Sequence, residues 1–149
     1  MTGTPIHAVD SILLPLPPET IWPLLADIHS YPRWWPALLL PRVTIPTDGT
    51  LVGSELHLRP LATRRFTCKV MAAAAPHSID LHYIGPFITG SGQWLLTPEG
   101  QGTRLSYRID VEAHGLLVAL ASRCLSLRWL HGQSMQLIFS ALRRQLRTT

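Results

Sequence analysis

The sequence predicts an α+β domain in which one curved antiparallel sheet of about seven strands is closed by a long C-terminal helix, with two short helices after the first strand. Three observations carry that expectation. Residues 103–112 alternate Leu105, Tyr107, Ile109 and Val111 with Arg104, Ser106, Arg108 and Asp110, a period of two with one buried face. Residues 116–147 contain no proline and one glycine, Gly132, while Leu120, Cys124, Leu127, His131, Ile138 and Leu142 recur at helical spacing. Residues 18–36, PETIWPLLADIHSYPRWWP, hold three of the five tryptophans among prolines that forbid a long helix.

The elements follow in order. Residues 6–14 are rich in strand formers and end at prolines, so they form the first strand. Pro17 and Pro18 suit a helix entry, where a missing N–H costs nothing. Ile21, Trp22, Leu24 and Leu25 give this helix an apolar face; Pro23 bends it and Pro32 closes the next turn, leaving two short helices with a corner between them. Asp27 is expected to cap or brace that corner. Strands follow at 42–46, 53–59, 63–73, 78–84, 88–97 and 103–112, separated by turn signals such as TDGT and PEGQGT. Short links make neighbours antiparallel, with one face solvated and the other covered by the helix over 116–147. A pocket is expected between sheet and helix, roofed by the aromatic segment.

At 149 residues the chain is expected to form a single domain, 1–149, with 46% hydrophobic and only 15% charged residues. The opening residues lack the pattern of a secretory signal, and Arg123 and Arg128 interrupt the most apolar stretch, so a cytoplasmic protein is expected. Cys68 and Cys124 are isolated and no histidine pair has i, i+4 spacing, so neither metal nor cofactor is expected. The net charge of +4 comes partly from Arg143, Arg144 and Arg147, placed where cations favour a helix C-terminus, and no recognition motif accompanies it. Nucleic acid is not an expected partner.

Residues 18–36 resemble the N-terminal signature of the START-like helix-grip superfamily, also called Bet v 1-like or the polyketide cyclase/dehydrase and lipid-transport group. Pro18, Ile21, Trp22, Leu24, Leu25, Asp27, Tyr31, Pro32 and Trp34 meet its pattern, and GQGTRLSYRIDVE is similar to its penultimate strand. The resemblance spans the chain in order. It implies a helix-grip fold with a cavity for an apolar small molecule such as a lipid, isoprenoid, quinone or polyketide; some members of such a family are enzymes and others carriers.

Counting faces gives the expected lining. With Tyr107 and Ile109 inward, neighbouring strands offer Leu56 and Leu58, then Phe66, Cys68 and Val70, then Leu81 and Tyr83, then Trp94 and Leu96. The helix adds Leu120, Cys124 and His131, and Trp35 is favoured over Trp34 as the gate, since adjacent residues cannot both point fully inward. Glu55, Asp80, Asp110 and Glu112 fall on the opposite face, so no paired acids are expected inside; His57 and His82 are expected to be solvated. A binding or carrier protein is the leading expectation. If the chain is an enzyme of the cyclase, aromatase or dehydratase type, His131, Tyr83 and Tyr107 are the candidates for proton transfer and oxyanion stabilisation. Val118, Leu125 and Trp129 suggest an apolar patch on the helix for a homodimer or peripheral membrane contact.

Overall fold

The computed structural model describes residues 3–60, 64–115 and 126–148. Seven strands form one sheet: β1 (Thr4–Leu14), β2 (Arg42–Thr44), β3 (Glu55–Leu58), β4 (Phe66–Ala74), β5 (Ser78–Ile84), β6 (Ile88–Glu99) and β7 (Gly102–Ala113). Their order is β1-β7-β6-β5-β4-β3-β2, with every pair antiparallel. From β2 to β7 each strand pairs with the next in sequence, as short links require. β1 instead crosses to the far edge and pairs with β7 from Thr4↔Ala113 to Leu14↔Thr103. A slip in the β4–β5 register between Val70 and Ala72 adds local twist to the sheet.

Alternation decides which face is covered. In β7, Leu105, Tyr107, Ile109 and Val111 are buried while Arg108, Asp110 and Glu112 are exposed. In β1 the inward row is Ile6, Ala8, Asp10, Ile12 and Leu14, and only Asp10 breaks its apolar character.

The helices α1 (Pro18–Ala26) and α2 (Tyr31–Trp34) follow β1, and α3 (Leu127–Arg147) ends the fold. Pro17 and Pro18 stand at the N-cap and first turn of α1, and Pro23 lies inside it. Asp27 ends α1 without a side-chain cap; its carbonyl accepts from the Ser30 N–H and hydroxyl. The corner is thus braced by Asp27's backbone, because Ser30 supplies the hydroxyl the turn needs. α3 begins later than the apolar run implies. Ser126 is extended and its hydroxyl accepts from the Trp129 N–H, which sets the helix start at Leu127. Residues 116–125, including Leu120, Cys124, Val118 and Leu125, lie outside the described residues. Met135, Ile138, Phe139 and Leu142 form the buried stripe of α3, and Phe139 meets Trp94 edge-on at 6.3 Å. No described helix is long and apolar enough to cross a membrane.

Candidate ligand cavity

Between the sheet, α3 and the aromatic segment lies a cavity of about 220 Å³. The sheet contributes Leu56, Leu58, Phe66, Cys68, Leu81, Tyr83, Trp94, Tyr107 and Ile109, all residues that face counting places inward. Val70 and Leu96 are buried but do not reach the cavity, so they are core rather than lining. Val70 stands opposite Leu81 and Leu96 opposite Leu105, where side chains fill the space between layers. α3 adds Leu127, His131, Ser134, Met135 and Ile138.

The roof is built by Ile28, Tyr31, Trp35 and Leu39. Tyr31 is fully buried, donates its hydroxyl to the Leu25 carbonyl, stacks on Trp35 at 4.7 Å and meets Trp34 edge-on at 5.3 Å. Trp34 and Trp35 are both buried, since the helix ends between them and the chain turns back over the sheet. Their roles differ. Trp34 Nε1 donates to Ser30 Oγ at 3.0 Å and ties the corner together, whereas Trp35 lines the cavity with a buried indole N–H that has no acceptor among the described residues.

The cavity also has a polar edge. Tyr83 on β5 and Tyr107 on β7 are separated by β6, yet their hydroxyls are hydrogen-bonded to each other. They meet above Gly92 of β6, where a Cβ would collide with the Tyr107 hydroxyl and crowd the Tyr83 ring. Gly92, like Asp10 and the roof residues Ile28, Tyr31 and Leu39, is absent from the lining expected from the sequence; a glycine in the inward row of a central strand is its signal. Cys68 faces Tyr83 across the β4–β5 pair. Burial pushes the Cys68 thiol up to about 12, against the opposing hydrogen bond to Tyr83. Burial likewise raises both tyrosines well above the ordinary phenol value, reinforced by mutual repulsion and Cys68 at Tyr83 and by Cys68 at Tyr107. The cluster is therefore neutral and offers hydroxyl hydrogen bonds.

His131 completes this edge, its ring stacked on Tyr107 at 5.9 Å. Burial holds the imidazole below its ordinary value, opposed by the charge of Asp10, whose Oδ2 lies 3.6 Å from Nδ1. Asp10 is a lone carboxylate on the inner side: β1 pairs with β7 at the sheet edge, and its inward row lies beside α3. Glu112 and Asp110 are exposed and Glu55 and Asp80 half-buried on the outer face. His82 is exposed on that face, while His57 is half-buried between Thr44 and Thr67 hydroxyls at 3.0 and 2.8 Å. No group of three or more histidine, cysteine or carboxylate side chains gathers as a metal site among the described residues.

The chain is similar to known proteins in sequence and in fold. Ribosome association toxin RatA of Escherichia coli is 27% identical over 111 residues, covering 73% of this chain and 70% of that protein. A START superfamily protein from Mycobacterium smegmatis superposes with a TM-score of 0.69 at 18% identity, over 96% of this chain and 99% of that one. Truncated norcoclaurine synthase from Thalictrum flavum gives 0.70 at 11% identity, over 98% of this chain and 96% of that one, a likeness of fold. Residues 5–145 match the family described as polyketide cyclase/dehydrase and lipid transport, and with its helix-grip sheet and C-terminal helix the chain belongs to that family.

Proposed function

We propose that the protein binds a hydrophobic small molecule of lipid, isoprenoid, quinone or polyketide-like type in the cavity between sheet and α3. The carrying observation is the cavity itself, about 220 Å³ of apolar-lined space inside a small fold. A void costs about 24 cal/mol per Å³, so one of this size forgoes several kcal/mol of packing that larger side chains would supply. A ligand offsets that loss. The unpaired Trp35 N–H and the neutral Tyr83–Tyr107 pair supply the few polar anchors such sites use.

The enzymatic alternative, a cyclase, aromatase or dehydratase, would use the same cavity with His131, Tyr83 and Tyr107 around the reacting oxygen. The name of the Escherichia coli relative favours a different second reading, ribosome association, to which a net charge of +4 is suited. Co-sedimentation with ribosomes at low and high salt tests that reading separately.

The cavity is tested by native mass spectrometry of the purified full chain and by titration with an apolar fluorophore. Saturable binding that quenches tryptophan emission and is competed by polycyclic or long-chain compounds is expected. Absence of saturable binding to a cooperatively folded protein would sink the proposal.

A further inference from the structure

We propose that Asp10 is a positioning residue for His131, holding its Nδ1–H so that Nε2 presents a hydrogen-bond acceptor to the cavity, and that the ligand is consequently an apolar compound carrying a hydroxyl donor. This rests on the reading of the cavity as a ligand site. Two buried atoms lack partners. Asp10 Oδ2 and His131 Nδ1 are both buried and neither has a hydrogen-bond partner among the described residues. Buried polar atoms are rarely left unpaired. Each has the other as its neighbour at 3.6 Å, and a shift of about half an ångström would bring them within the ordinary range.

The chemistry of the pair fixes the proton. A carboxylate only accepts, so the imidazole nitrogen facing it must donate, and a neutral imidazole with its proton on Nδ1 has a lone pair on Nε2. Burial favours the neutral ring. His131 lines the cavity and stacks on Tyr107, so the nitrogen left over belongs to the polar edge rather than to the core. Beside it Tyr83 and Tyr107 bond each other, and the Tyr107 ring is stacked on the imidazole rather than aligned with its nitrogen edge. A ligand hydroxyl can donate to Nε2, whereas an ether or ketone of the same shape cannot.

A matched pair of probes reads this out: 2-naphthol and 2-methoxynaphthalene share a ring system that differs only in the donor. An apolar cavity of about 150 Å³ already accepts benzene, so a bicyclic probe suits this one. Wild-type protein should bind 2-naphthol tighter than the ether by about tenfold, the scale of one buried hydrogen bond. His131→Phe should abolish the preference. Asp10→Asn, whose amide can serve either nitrogen tautomer, should lose most of it. Side-chain ¹⁵N–¹H spectra of the wild-type protein should show His131 as the Nδ1–H tautomer, assigned by its loss in His131→Phe. A purely structural Asp10 would lower stability without changing the probe ratio or the tautomer. Equal affinities in the wild type, a preference that survives both substitutions, or an Nε2–H tautomer would each overturn the proposal. Failure of both probes to bind would instead overturn the cavity reading, and the tautomer would still decide whether Asp10 sets the proton.

Discussion

Gly92 has no side chain, and the polar edge of the cavity depends on that. A methyl group there would occupy the place of the Tyr107 hydroxyl. Gly92→Ala should therefore cost about 1–3 kcal/mol, the range for overpacking a core, read as a lower urea midpoint. Adding Tyr107→Phe removes the obstructing oxygen, so the double variant should be more stable than the sum of the single effects. Strict additivity would show that the methyl is accommodated without touching Tyr107. His131 makes a prediction of another kind. Its imidazole is depressed by burial, so on acidification the unfolded chain takes the proton first. The stability held by the neutral ring is complete above the unfolded value, about 6.5, and is lost as pH falls from there through the folded value. His131→Phe should flatten the stability–pH curve below about pH 6.5, measured by denaturation at stepped pH. An unchanged slope would assign the titration to another group.

The start of α3 is an element whose position rests on one hydroxyl. Ser126 accepts from the Trp129 N–H at 3.2 Å, while Arg144 and Arg147 sit in the last turn, where cations favour the negative end of the helix. Ser126→Ala should cost about 1 kcal/mol and lower the melting temperature by about 3 °C, whereas Ser126→Asn should retain most of both. If alanine and asparagine behave alike, the cap is not what fixes the helix start. The placement matters for function, because Leu127, His131, Ser134 and Ile138 reach the cavity only with α3 in this phase.

The sheet is open, with β1 and β2 as its edges, but the two edges differ in support. β1 makes eleven residue pairs with β7 and lies beside α3, whereas β2 makes three with β3. Hydrogen exchange should therefore be slowest in β6 and β7, the longest strands, and fastest among strands in β2. Protection of β2 equal to that of β7 would contradict this gradient. A stable β1–β7–β6 platform beneath a cavity whose far wall ends in short strands leaves the least protected elements near Leu56 and Leu58.

The alternation in residues 103–112 determined both the strand and its buried face, because a two-residue period leaves only one apolar side to hide. The same counting places Tyr83, Tyr107, Trp94 and Cys68 inward, and the prolines of residues 18–36 are enough to break the aromatic segment into short helices. What local pattern could not reach was every relation across the fold. Asp10 reads as an unremarkable polar residue in a strand, and only the crossover that carries β1 to the edge beside β7 brings it within 3.6 Å of His131. The meeting of Tyr83 and Tyr107 over Gly92 depends on strand order, and which buried inward residues reach the cavity, as Val70 and Leu96 do not, is a relation across the fold. Periodicity is a property of a few neighbouring residues, so the sequence decided which side chains go inside; which of them touch was decided only when the tertiary structure closed contacts between residues more than a hundred positions apart.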